Sequence, residues 1–142
     1  MRDEFRIAHK RAFGSTVVVL TCAASAGAHA GLVPAHVQDE PRLGVAFLVA
    51  VLLLLGAAVA FGFRPTDRRV AGAAAVVLFG VAFAYLATRT TGIPMLDPER
   101  EAVDAVGVAT TAVEVTGLVF ALRLTLPLGR DGRPFHVQEV SR

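Results

Sequence analysis

The residue whose type and position most strongly suggest chemistry is an acid inside a long apolar stretch. Glu114 is the only charged residue between Ala105 and Leu122, and it lies about ten positions, or roughly 15 Å at helical rise, below the outer end of this stretch. An acid at that depth in a membrane costs about 2.5–3.5 kcal/mol on insertion scales, so we expect it to face other helices and a polar partner. Thr110 and Thr111, one turn earlier, are candidate donors. Glu114 is therefore either a proton carrier, cation ligand or counter-ion, or a protonated carboxyl that specifies helix packing.

Two histidines and a second acid form another group with ligand chemistry. His29, His36 and Glu40 follow one another at spacings of seven and four residues, and imidazole with carboxylate suits Zn²⁺, Cu²⁺ or Fe. The pattern predicts a site for a divalent transition metal, although Pro34 makes one continuous helix through all three residues doubtful. The alternative is that His36 and Glu40 are ordinary loop residues and that His29 caps a helix end. His29 is also a candidate proton relay.

Arg89 and Asp104 form a candidate ion pair at predicted helix ends. Arg89 follows an apolar stretch, and its side chain either pairs with Asp104 or Glu114 or, as the sequence favours, extends to lipid headgroups. Asp104 is placed where a negative charge stabilises a helix N-terminus. The chain has no evident nucleophile–base pair and no phosphate-binding loop, which argues against an enzyme.

Four long apolar stretches must position these residues. Charged residues make up 18% of the chain and its mean hydropathy is +0.59, whereas soluble domains have about 25% charged residues. About 20 apolar residues cross a hydrocarbon core of roughly 30 Å. The sequence therefore predicts an all-α fold, an integral membrane four-helix bundle with short loops, in residues 1–128. The helices are expected near 11–33, 43–63, 69–89 and 100–126, followed by a polar cytoplasmic tail at 129–142.

The basic residues indicate how the helices are oriented. With the N-terminus inside, eleven of the fourteen Lys and Arg residues lie on the cytoplasmic side, and three lie outside. The three outer ones are Arg42, Arg89 and Arg100. Cytoplasmic loops of membrane proteins are enriched in Lys and Arg, so both termini are expected in the cytoplasm and the protein in the plasma membrane. The pI is near 9.3, but the basic residues flank the apolar stretches and do not cluster into a patch, so no nucleic-acid partner is expected.

The first apolar stretch has a second interpretation as a secretory signal peptide. Basic residues end at Arg11, an apolar core follows, and Ala28-His29-Ala30 matches a cleavage site. Cleavage would leave three helices with an outside N-terminus. The apolar run continues through Val33, long enough to cross a bilayer, so the sequence favours an uncleaved helix.

Several of these features together resemble a known group of proteins. The group consists of small multi-spanning membrane proteins of high-GC, actinobacterial-type bacteria, for which no activity is established. The resemblance covers residues 28–122, and it implies a membrane helical bundle and nothing more. It rests on His29, His36 before Glu40-Pro41, the stretch from Thr88 to Pro94, and Glu114.

Two functions remain open from the sequence. The first is an interaction or accessory bundle that packs, through small-residue faces such as Gly27 and Gly31, against itself or a larger membrane complex. The second is metal-ion or proton handling by the outer His and Glu residues together with Glu114, in which case a chain this small would need to form a homo-oligomer. The lipid bilayer is a partner in both.

Overall fold

The computed structural model describes residues 2–93 and 102–126, which form four helices. They are α1 (Arg2–Asp39), α2 (Pro41–Phe63), α3 (Arg68–Thr90) and α4 (Ala105–Thr125). Each is long and apolar enough to cross a membrane, so the prediction of four membrane helices is confirmed to that extent. The predicted tail at 129–142 and the loop acids Asp97, Glu99 and Glu101 lie outside the described residues.

The first helix is longer than predicted at both ends. It spans 38 residues and continues through Pro34 to Asp39, so the expectation of a break at this proline was wrong. A proline inside a helix removes one backbone hydrogen bond, and membrane helices tolerate that loss where neighbouring helices pack against them. Instead of an outer loop, the single residue Glu40 joins α1 to α2, and Pro41 occupies the first turn of α2, where its missing N–H is harmless.

Aspartates define the starts of the other two helices. The carboxylate of Asp67 accepts a hydrogen bond of 2.8 Å from the backbone N–H of Arg69 at the start of α3. Asp104 does the same for Gly107, at 2.7 Å, so α4 begins at Ala105 and not near residue 100. These are N-cap interactions that satisfy donors left open at a helix start. The α3 helix ends before Gly92, whose φ of 69° is a left-handed conformation that favours glycine.

Each helix packs against two others. The α1 helix contacts α2 and α4, and the α3 helix also contacts α2 and α4. We call the end with the 64–67 turn the inner end, and the end with Glu40 the outer end. At the inner end, the Ser15 hydroxyl donates to the backbone carbonyl of Pro65 at 3.1 Å. This bond ties α1 to the turn between α2 and α3.

The core is built largely from small side chains, and large apolar ones lie on the outside. Buried residues of the core include Cys22, Ala74 and Ala121, with Leu54, Phe61 and Leu78 filling the wider spaces. By contrast Leu52 is 61% exposed. Only 17–28% of the most apolar window of each helix is buried within the protein. Because the remainder presents hydrocarbon outward, a lipid bilayer is the solvent that suits this surface.

Candidate ligand cavity

Glu114 lies in the interior and receives a hydrogen bond from another helix. Glu114 is 1% exposed, and the Ser25 hydroxyl of α1 donates a hydrogen bond to its Oε1 at 2.6 Å. Sequence reasoning placed the donor on Thr110 or Thr111. Both threonines line the same cavity as Glu114, but the donor in the structure is Ser25. Nothing in the local sequence around Glu114 points to a residue 89 positions away.

His29 adds an imidazole to this pair. Its Nδ1 lies 2.9 Å from the backbone carbonyl of Ser25 and 3.8 Å from Glu114 Oε1. Since a carbonyl can only accept, Nδ1 carries the proton in the first of these bonds. Ser25, His29 and Glu114 therefore form one polar cluster within the apolar interior. We refer to these three residues as the floor cluster.

The three predicted metal ligands are not gathered around one point. The His36 Nδ1 lies 2.8 Å from the backbone carbonyl of Leu32, and its ring stacks on Phe47 at a centroid distance of 4.2 Å. Glu40 is exposed and makes no side-chain capping bond. Across residues 2–93 and 102–126, no group of three or more His, Cys, Asp or Glu residues is arranged to hold a metal ion. The described geometry therefore gives the metal hypothesis no support.

Arg89 and Asp104 meet at the outer end of the cavity. Arg89 Nη2 lies 2.8 Å from Asp104 Oδ2, and the guanidinium also covers the ring of Tyr85 at 4.7 Å from its centroid. Asp104 simultaneously accepts the N–H of Gly107. The carboxylate thus begins α4 and joins it to the end of α3.

These contacts predict how the protein responds to acid. The backbone N–H of Gly107, followed by the charge and hydrogen bond of Arg89, holds the pKa of Asp104 below its usual 3.8. Asp104 therefore stabilises the fold at all pH values above that usual value, and its contribution is lost as the pH falls through the lower pKa of the folded state. We expect unfolding of the detergent-solubilised protein, followed by circular dichroism, to become easier across this acid range.

A pair of variants at Asp104 separates charge from capping. In Asp104→Asn the amide oxygen can still accept from Gly107, so this variant should lose the acid dependence attributable to residue 104 while α4 keeps its cap. Asp104→Ala should lose both, and should be less stable than Asp104→Asn at neutral pH. Equal acid dependence in Asp104→Asn and the natural protein would contradict the assignment.

Tyr85 contributes a polar group without a partner. Within the part of the chain that the structure describes, its hydroxyl is buried and has no hydrogen-bond partner. The ring lies against Gly107, where an added Cβ would come 2.9 Å from Tyr85 Cζ. Glycine at position 107 therefore makes room for the tyrosine between α3 and α4, and a buried hydroxyl of this kind is available to a bound molecule.

His29, Glu114, Tyr85, Arg89 and Asp104 line one cavity of about 320 Å³. This volume is at the lower end of the roughly 300–1,000 Å³ typical of small-molecule sites. The floor cluster supplies His29 and Glu114, and the rim carries Asp104, which is exposed. Most of the remaining wall is apolar, with residues from every helix and from the segment that follows α3: Leu32, Leu43, Phe47, Val81, Ile93 and Val106.

The cavity is confined to the outer half of the protein. Toward the inner end, the space between the helices is filled by Val18, Leu54, Phe61 and Leu78, each with 0% exposure. The floor cluster therefore communicates with the outer end, and a packed apolar core separates it from the inner end.

The comparisons with known proteins add no relative to this description. The chain matches no protein-family model, no curated protein and no solved structure. The candidate site therefore depends on its own geometry.

Proposed function

We propose that this protein is a four-helix bundle of the plasma membrane, with both termini in the cytoplasm, that binds a small ligand in its outer cavity with exchange of a proton at Glu114. The observation that carries the proposal is the floor cluster: a buried carboxyl with a hydroxyl donor and an imidazole, at the closed end of a cavity. Four membrane-compatible helices and the excess of Lys and Arg on the predicted cytoplasmic side support the placement in the membrane.

The floor cluster supports two protonation states of Glu114. In the first, a neutral carboxyl accepts the Ser25 hydroxyl hydrogen bond of 2.6 Å. In the second, the carboxylate keeps that bond, and the His29 imidazole lies 3.8 Å from the same oxygen. An isolated carboxylate within a membrane is strongly disfavoured, and polar partners of this kind reduce the penalty. The pair can therefore take up and release a proton without disrupting its helices.

The ionisable side chains that line the cavity together with Glu114 come from α1, from α3 and from the start of α4. The α1 helix presents His29 and His36, and α3 presents Tyr85 and Arg89. Asp104 faces the cavity from the start of α4, and the α2 wall consists of Leu43, Ala46, Phe47 and Ala50, which carry no ionisable group.

The filled inner half favours ligand binding over conduction. Ions or protons that leave the floor cluster toward the inner end would have to pass the buried apolar residues Val18, Leu54 and Leu78, and hydrocarbon-like regions strongly oppose charge. The cavity therefore exchanges with the outer side only. Metal coordination is not part of this proposal, because no suitable set of ligands is present among the described residues.

Infrared difference spectroscopy on the protein in lipid nanodiscs tests proton exchange at Glu114. As the pH is lowered from mildly alkaline to mildly acid, we expect a carboxylic-acid C=O band to appear. The band should be absent in Glu114→Gln and shifted in its pH midpoint in Ser25→Ala, which removes the hydroxyl donor. Glu40→Gln is the matched control, since Glu40 is an exposed acid outside the cavity, and it should retain the band.

Two results would contradict the proposal. One is a spectrum without any such band over this pH range. The other is a band that persists in Glu114→Gln, which would assign the titration to a different carboxyl.

A further inference from the structure

The geometry points to a small organic cation, a protonated amine with an apolar body, as the ligand that binds in the outer cavity in place of the Glu114 proton. This inference rests on the proposed function and names its ligand class. It follows from three properties of the cavity: its balance of charge, its apolar wall and the positions of its polar groups.

The first property is the charge of the wall. Among the described residues, two acids and one permanent cation line the cavity, namely Glu114, Asp104 and Arg89. Arg89 and Asp104 are joined at 2.8 Å and largely cancel one another. Ionised Glu114 therefore adds a negative charge to the described wall that the Arg89–Asp104 pair does not offset. In a medium of low dielectric constant that charge attracts a counter-ion strongly, whether a proton or a ligand cation.

The second property is the apolar surface between the floor and the rim. Leu32, Leu43 and Val81 lie on different helices and contribute to one wall, together with the Phe47 ring. A fully hydrated metal or alkali cation gains nothing from such a wall. An ammonium group on a small hydrocarbon body gains burial of its apolar part and an ion pair with the carboxylate.

The third property is the presence of acceptors suited to N–H groups. An ammonium has three donors and no acceptor. Glu114 Oε1 already accepts from Ser25, and a carboxylate has further lone pairs for an ammonium. Tyr85 lines the same cavity, and its hydroxyl is buried without a partner in the described structure. An anionic ligand would find Glu114 repulsive and Arg89 already paired with Asp104.

Exchange follows from these contacts. When Glu114 is protonated, the ammonium ion pairs with the carboxylate only if the carboxyl proton leaves for the solvent at the outer end. Proton and amine therefore compete for one group. Below the midpoint at which Glu114 titrates, the apparent affinity for the amine should fall about tenfold for each unit of pH, and one proton should be released for each amine bound.

A matched series of three ligands tests the charge preference. Phenethylammonium, phenethyl alcohol and phenylacetate share one ring and a short chain but are cationic, neutral and anionic. Isothermal titration with the protein in nanodiscs, corrected with empty nanodiscs, should give the cation at least tenfold tighter binding than the alcohol and no detectable binding of the anion. Titration in two buffers with different protonation enthalpies should count the released proton.

Variants assign the binding to the cavity. Glu114→Gln should weaken phenethylammonium binding at least tenfold and abolish its pH dependence, while Glu40→Gln should leave both unchanged. Tyr85→Phe should weaken binding about threefold to tenfold through loss of one hydrogen bond. Circular dichroism and gel filtration establish whether each variant is folded. If Glu114→Gln does not fold, binding to Tyr85→Phe still tests whether the ligand occupies this cavity.

The outcomes separate this inference from the proposed function. If the infrared band of Glu114 titrates but the alcohol or phenylacetate binds as well as the amine, the cation inference is wrong and proton exchange stands. Amine binding without proton release at acid pH would also overturn it. If the Glu114 band is missing altogether, the proposed function fails and this inference fails with it.

Discussion

Valine in place of Gly117 should destabilise the protein by about 1–3 kcal/mol, the range observed when extra side-chain carbons are forced into a well-packed interior. A Cβ at position 117 would lie 2.9 Å from Thr21 Cβ and 3.1 Å from Leu78 Cδ1. Thr21 belongs to α1 and Leu78 to α3, so the added atoms meet two helices at once. Equilibrium unfolding in mixed detergent micelles, followed by circular dichroism, measures this loss in the free energy of unfolding.

The effect should also reach the floor cluster. Gly117 lies one helical turn from Glu114, and Thr21 lies one turn from Ser25. Displacing α1 from α4 at this level should lengthen the Ser25–Glu114 hydrogen bond, now 2.6 Å, and shift the pH midpoint of the infrared band. Gly80→Val is the control, because an added Cβ at position 80 meets no atom within 4 Å. Equal stability of the two variants would show that Gly117 does not mediate this close packing.

Removal of residues 1–30 should prevent the remaining chain from folding. Val18, Cys22 and Ser25 are 0–1% exposed, so α1 supplies a large share of the interior and the donor to Glu114. Without it, Glu114 would have neither Ser25 nor His29. We expect the shortened chain to be degraded or to aggregate when expressed, at yields at least tenfold below those of the full chain.

The natural protein should accordingly keep its first helix. Mass spectrometry of the intact protein should find the chain without cleavage after Ala30. A tag at the N-terminus should resist protease added to the outside of intact cells, as expected if this terminus is cytoplasmic. A mature chain that begins at Gly31 would overturn the four-helix architecture and favour the signal-peptide interpretation.

The membrane helices were predictable because they depend on local composition. Stretches of about 20 residues with few charges indicate a span regardless of what surrounds them, and all four predicted helices are present. Exact helix ends depended on individual side chains. The cap at Asp104 shortens α4 by several residues, and the persistence of α1 beyond Pro34 depends on packing against α2, which a linear pattern does not reveal.

The contents of the site were less predictable, because they depend on how helices rotate against one another. Glu114 was identified by its charge in an apolar stretch, but its partner Ser25 is an ordinary residue in sequence terms. One signal was available on α1: Ser15, Cys22, His29 and His36 recur every seven residues, a spacing that keeps one side of a helix directed toward its neighbours. This pattern places His29 on the same side of α1 as the buried Cys22, but it does not identify Ser25.

Small residues were only partly informative about packing. Gly117 lies against two helices, whereas at Gly27 and Gly31 an added Cβ meets nothing within 4 Å, so this pair does not mediate contact among the four helices. Both glycines are exposed. An interaction or accessory role, in a homo-oligomer or a larger complex, stays a prediction.

The one-residue link at Glu40 makes the two sides of the cavity mechanically unequal. Separating α1 from α2 at the outer end would disrupt the turn in which the Glu40 N–H donates to the His36 carbonyl and the Glu40 carbonyl accepts from Leu43 and Gly44. The opposite side is joined at the outer end by the Arg89–Asp104 pair, and an ion pair with a solvent-exposed partner contributes little to stability. Separation of α1 from α2 at the outer end would therefore break backbone hydrogen bonds, whereas on the α3–α4 side the described residues at this end include an ion pair with an exposed partner.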